Sequence, residues 1–222
     1  ENKFLNEYHI PYKIVGGLGF LSRAEVKLVL AHARLLVSLN DVNALIKATA
    51  KPTCGIGKKR LDLWRRTALE KGISLEKIIS YVSNPTKDNI KKDEIADKFL
   101  EKIIKGREDL VKLGLSNGLA NYIESNGIRD VFKDDPKYND RMDSIDNIIK
   151  SLAYYEEQGG KYLEEFLSGL VLLDSTVENE NEGAVWMSTI HASKGLEFEH
   201  VYLIGWEETT LPSSRMDLDN GE

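Results

Sequence analysis

Ala184-Val185-Trp186-Met187-Ser188-Thr189-Ile190-His191-Ala192-Ser193-Lys194-Gly195-Leu196-Glu197-Phe198 opens as a near-continuous apolar run, then crowds a hydroxyl, an imidazole, an ammonium and a carboxylate around Gly195. A strand buried on both faces of a parallel sheet reads as such an apolar run. Ligands of open α/β sheets gather at the carboxyl ends of strands, and Gly195 lets the backbone turn sharply or approach a ligand closely. The stretch therefore reads as a buried strand that ends in a site. His200-Val201-Tyr202-Leu203-Ile204 reads as a further strand of the same kind.

Working outward, Tyr12-Lys13-Ile14-Val15 is a short β-like run ended by Gly16-Gly17. Between these flanks the period changes to that of helices. Ser22 followed by Glu25 forms the pattern of a capping box, opening a helix with Val26, Val29, Leu30 and Ala33 on one face. A second helix follows Asn40-Asp41 and stops before Pro52, since the residue ahead of a proline is driven out of helical conformation. Gly55-Ile56-Gly57 then turns the chain into a third, with Leu61, Trp64 and Ala68 spaced as a buried stripe. Ser74, Asp93, Ser116, Asn139 and Gly160 precede further amphipathic stretches. The clearest of these carry Ile145, Ile148, Ile149 and Leu152, then Leu163, Phe166, Leu167 and Leu170. The expected fold is α/β with a large, mainly α-helical insertion. Segments 1–15 and 183–222 form the α/β part, and 16–182 form the helical one.

Composition bounds the function. The 222 residues are 41% hydrophobic and 30% charged, enough for one good core or two small ones, and no apolar run reaches membrane-spanning length. Cys54 is the only cysteine, which excludes an internal disulfide and a multi-cysteine metal site and fits a reducing cytoplasm. His9, His32, His191 and His200 show no ligand spacing, so no metal site is expected. Net charge is −6, yet the cations are segregated. Lys47, Lys51, Lys58, Lys59, Arg60, Arg65 and Arg66 stand against the single acid Asp62, whereas Asp174 to Glu182 holds four acids and no base. Phosphate binding depends on such local clusters more than on overall balance. A glycine turn at a helix N-terminus, followed by lysines, suits a sequence-blind phosphate contact. Gly55-Ile56-Gly57-Lys58-Lys59 is not a nucleotide P-loop, which would need Gly at position 52 and Ser or Thr at 59.

Three groups of words resemble the UvrD/Rep/PcrA family of superfamily 1 DNA helicases. Thr189 to Phe198 and its continuation Val201 to Glu208 are similar to the family's fifth motif. Ile10 to Lys27 resembles the segment leading into its 2B subdomain, and Pro52-Thr53-Cys54-Gly55-Ile56-Gly57 resembles that subdomain's Gly-Ile-Gly loop. The resemblance spans nearly the whole chain and is loose between Lys71 and Asp174. It implies that 1–15 and 183–222 belong to a RecA-like 2A subdomain and that 16–182 is the 2B subdomain. It implies that Thr189, His191, Lys27, Gly55, Ile56, Gly57, Lys58 and Lys59 face DNA. It further implies that Gly195 and Glu197 meet the nucleotide, with Glu197 accepting from the ribose, and that Lys194 couples the two sites. Arg23 lies four residues from Lys27, so both cations can serve one helix face, with an ion pair to Glu25 or a hinge role as the alternative. The pair Glu207-Glu208 reads as structural, and Thr209 departs from the glycine usual in the family.

The parent protein implied is an ATP-dependent 3′ to 5′ DNA helicase or translocase, active in DNA repair or replication in the bacterial cytoplasm or nucleoid. ATP hydrolysis needs a phosphate cradle, a Mg²⁺-holding acid and a charge-stabilising arginine, and none is recognisable in these 222 residues. The chain is thus expected to be a piece of a longer protein, inactive alone and holding neither ATP nor Mg²⁺. Its partners would be a single-strand/duplex DNA junction, the N-terminal motor domain of the same protein, and repair or replication proteins, with no membrane. The alternative is a non-catalytic helical module that binds DNA or a regulatory protein.

Overall fold

The computed structural model describes residues 12–15, 20–84, 92–175, 185–188, 190 and 193–204. Among these, helices dominate. They are α1 (Ala24–Val37), α2 (Val42–Ala50), α3 (Lys58–Lys71), α4 (Leu75–Ser83), α5 (Glu94–Leu113), α6 (Leu115–Ser125), α7 (Tyr138–Glu157) and α8 (Leu163–Ser175), with 3-10 turns at Phe20–Ser22 and Arg129–Phe132. Strands β1 (Tyr12–Val15) and β2 (Val185–Ser188) pair in parallel, with Tyr12 opposite Val185 and Val15 opposite Ser188. The two distant stretches thus fold together. Among the described residues, the expected α/β sheet is this one strand pair.

Local chemistry sets the starts of α2, α4 and α5. Asp41 accepts from the Ala44 N–H at 2.9 Å, Ser74 from Lys77 at 3.3 Å, and Asp93 from Ile95 and Ala96 at 3.1 and 3.2 Å. Each thereby satisfies donors that a helix leaves open. Gly72 closes α3 at φ +62, the left-handed conformation that costs glycine least. Helix α1 is central, packing against α2, α5, α7 and α8. Val26, Val29, Leu35 and Leu39 lie wholly inside, with Ile103, Leu119, Ile123, Ile145, Ile148 and Leu152 from the surrounding helices. The third-helix stripe is as expected: Leu61, Trp64 and Ala68 are its buried residues. Gly106 is required by a close crossing, because a Cβ there would fall 2.5 Å from the Tyr122 ring and 2.7 Å from Leu36.

Several expectations are corrected. The Ser22/Glu25 capping box does not form: Ser22 ends a 3-10 turn, and α1 begins at Ala24 with no side-chain cap. Glu25 is instead buried and takes a hydrogen bond from Arg141 of α7. A carboxylate buried at this boundary requires a partner for its charge, and the partly buried Arg141 guanidinium supplies it. Arg23 does not share a free face with Lys27, because it donates to the Ser144 hydroxyl at 2.8 Å and lies 5.8 Å from the Phe20 ring. Helix α6 starts one residue before Ser116, and Glu156 accepts from the N–H groups of both Leu115 and Ser116. Asn139 lies inside α7. Residues 200–204 form no strand, and Val201, Tyr202, Leu203 and Ile204 are exposed. A strand exists only with a ladder partner, and the described residues provide none for this run. Val185 and Trp186 of β2 are likewise exposed where burial on both faces was expected.

Candidate nucleic-acid interface and the turn after the second strand

Gly55, Gly57, Lys58 and Lys59 stand together on the surface where the chain turns from α2 into α3. Gly55 sits at φ +79, and a Cβ there would press on Ile95 at 3.2 Å, so both conformation and space select glycine. Gly57, at φ −90, has open space where a side chain would be and places no capping group over α3. The N–H groups of Arg60 and Leu61 return to the Gly57 carbonyl at 3.0 and 3.2 Å. Those of Lys58 and Lys59 have no acceptor among the described residues. Two open donors, the positive end of the helix dipole and two unpaired ammonium groups therefore share one surface, which is the composition of an anion site.

Arg60 is not part of that free charge. It donates to the Gly55 carbonyl at 2.7 Å and pairs with Asp93 at 3.0 Å, clamping the turn to the start of α5. Sequence reading counted Arg60 among the cations and Asp93 as a helix start. The second task of Asp93 is visible only once α5 is brought beside the turn. Ile56 is also reassigned, because its side chain is buried in the core and anchors the turn from below. On the outer, phosphate-facing side of the turn it offers only its backbone. Lys27 is exposed on α1.

The segment ahead of the turn is held by a buried histidine. His32 Nε2 lies 3.2 Å from the Lys51 carbonyl, and Nδ1 lies 3.3 Å from the Tyr122 hydroxyl. A carbonyl only accepts, so Nε2 carries the proton and Nδ1 accepts from Tyr122. Burial disfavours the imidazolium and lowers the pKa of His32 to about 4, and burial likewise raises that of Tyr122. The neutral ring links α1, α6 and the approach to Gly55.

After β2 the chain makes a second glycine turn. Ser193 donates to the Ile190 carbonyl at 2.9 Å, Leu196 N–H returns to Ser193 at 3.0 Å, and Gly195 sits at φ +87 with open space around it. Glycine is needed there for backbone conformation alone. Phe198 folds back edge-on to Trp186 at 5.6 Å, which sets the turn against β2. Lys194 and Glu197 are exposed on it. Thr189, His191, Glu207 and Glu208 lie outside the described residues. The Gly55–Lys59 surface and the Lys194–Glu197 turn are separate features on different parts of the chain.

Comparison with known proteins agrees with this pattern. The model of the UvrD-like helicase C-terminal domain matches residues 2–221. DNA helicase II of Rickettsia typhi is 30% identical over 226 residues, covering 100% of this chain and 33% of that protein. DNA helicase II of Escherichia coli is 28% identical over 219 residues, 96% of this chain and 30% of that protein. The ATP-dependent DNA helicase PcrA of Staphylococcus epidermidis is 28% identical over 222 residues, 97% and 30% respectively. The chain spans about a third of the length of these curated relatives. With the family model matched along almost its whole length, the chain belongs to the UvrD-like helicase C-terminal domain family.

Proposed function

We propose that this chain is the DNA-gripping part of an ATP-dependent 3′ to 5′ DNA helicase of the cytoplasm, with 16–182 as its 2B subdomain and 1–15 and 183–222 as portions of 2A. The observation that carries this reading is the exposed, uncapped start of α3, where Gly55, Gly57, Lys58 and Lys59 present donors and cations together. Phosphates of the duplex at a fork would dock there without regard to sequence, because every base step offers the same oxygens. Arg60, Asp93 and buried Ile56 make the turn rigid before DNA arrives, so little ordering cost is left to binding.

Parallel pairing of β1 with β2 supports a shared 2A sheet, since it joins the ends that flank the helices. On that sheet Thr189 and His191 are proposed to face single-stranded DNA, Lys27 to lie at the subdomain junction, and Lys194 to couple DNA to nucleotide. For ATP, the residues fit only one end of the molecule. Glu197 beside Gly195 is an exposed carboxylate suited to accept from a ribose hydroxyl. The triphosphate and Mg²⁺ need a cradle that this sequence does not contain. When bound in the parent protein, ATP would supply the free energy that drives strand movement. This chain would sense it through the Gly195 turn.

Anisotropy of a labelled single-strand/duplex junction, titrated with the chain, tests the reading. Affinity should fall steeply with salt, and the Lys58→Glu/Lys59→Glu pair should weaken it more than about tenfold and flatten the salt slope by about two. Binding indifferent to salt and to both charge reversals would refute it.

A further inference from the structure

Behind the Gly55-Ile56-Gly57 turn lies a cleft whose chemistry phosphate contact leaves unused. It occupies about 750 Å³ between α2 and the first half of α3, within the size range that holds a drug-sized ligand or a few residues of peptide. Its walls are mainly apolar, formed by Ile46, Ala50, Ile56 and Leu61. Ile46 is 47% exposed, although a solvated helix face would be expected to carry a polar group there. Further along α3, Leu69 is 82% exposed beside a smaller hollow bordered by Arg65 and Arg66.

The apolar part of these walls gives a phosphate no donors, since Thr49 already donates to the Leu45 carbonyl and Thr53, Lys58 and Arg65 supply the remaining side-chain donors of the lining. Among the described residues no aromatic side chain lines either hollow to stack a base. Nucleic acid is therefore a poor occupant of the interior. The rim is cationic: Lys58 and Arg65 both border the cleft, seven residues apart on α3 and hence about 10 Å along its axis. Asp62 lies between them at 4.0 Å from Arg65, a partly exposed pair of small net effect. Arg66 joins Arg65 and Asp62 at the border of the smaller hollow and extends the positive field along α3.

We propose that this cleft docks an acidic segment of a partner protein, seating a bulky apolar side chain against Ile46, Ala50 and Leu61 and carboxylates at Lys58 and Arg65. An extended peptide rises about 3.3 Å per residue, so acids three residues apart span the two cations. The occupant is chosen by charge complementarity joined to an apolar anchor, a combination that neither DNA nor a basic peptide offers. Since Lys58 serves both ligands, the segment and duplex DNA exclude one another, and that consequence rests on the reading above.

The test uses the 222-residue chain and a fluorescein-labelled peptide, Gly-Asp-Leu-Phe-Asp-Gly, with a control carrying Ser in place of Leu and Phe. Saturable binding of the first and at least about fivefold weaker binding of the second are expected. Ile46→Ser, at an exposed position, should weaken the peptide about fivefold and leave junction DNA unchanged. Lys58→Glu should weaken both, and unlabelled duplex should displace the peptide. Binding of both peptides alike, no binding below about 1 mM, or loss of DNA rather than peptide on Ile46→Ser would overturn the proposal. If Lys58→Glu weakens the peptide alone, the docking stands and the DNA reading falls.

Discussion

His32 is the residue whose ionisation the fold constrains most visibly. Its ring lies between the Lys51 carbonyl and the Tyr122 hydroxyl, inside the core, with a pKa lowered to about 4. In the unfolded chain an imidazole titrates near its ordinary value of 6.5. Below that pH the unfolded state takes up a proton that the folded state refuses, so stability is full above about pH 6.5 and declines as pH falls toward 4. Urea unfolding should show a loss of about 2 kcal/mol between about pH 7.5 and about pH 5. His32→Gln, which can still donate to Lys51 and accept from Tyr122, should flatten that part of the profile. An unchanged slope in the variant would show that His32 is not its source.

At the scale of elements, α1 and α7 are joined by an ion pair beside the Arg23–Ser144 hydrogen bond. The Glu25 carboxylate, 5% exposed, is paired with Arg141, which also reaches Asp135 at 2.8 Å and stacks 5.1 Å from the Phe132 ring. Removing one partner of such a pair leaves a charge buried without compensation, at a cost of about 3 kcal/mol or more. Arg141→Ala should lower stability by that order in thermal or urea unfolding. Adding Glu25→Gln should restore a substantial part, since the orphaned charge is then gone. A double variant no more stable than Arg141→Ala would place the cost in lost stacking on Phe132. The α3 start belongs to the same scale: the turn is rigid because Arg60 ties it to Asp93 and Ile56 ties it to the core, while its own donors stay open.

At the scale of the whole molecule, the core of the described residues runs from Val26 to Leu167, all of it within the helices and their connections. Strand β2 contributes no buried residue to it. A shortened chain of residues 20–175 should therefore unfold in one cooperative transition, with a midpoint within about 5 °C of the full chain. Non-cooperative melting of the shortened chain would mean that the flanking segments stabilise the helices directly. Exposure of Val185 and Trp186 has the same origin, because a two-stranded pair cannot cover apolar side chains by itself.

Periodicity, caps and turns are local, and for that reason the order of residues alone determined the helical stripe of Leu61, Trp64 and Ala68, the caps Asp41, Ser74 and Asp93, and the two glycine turns. The words around Gly55 and Gly195 likewise determined the family, which the match over residues 2–221 confirms. Partners distant in sequence had to be brought together before the rest could be known. Only the tertiary structure decided that Glu25 faces Arg141 and not its own helix start, that Arg23 serves Ser144, that Arg60 is a clamp, and that Ile56 points inward. A side chain's task depends on which opposite charge, hydroxyl or apolar surface the fold delivers to it, and no local pattern carries that information.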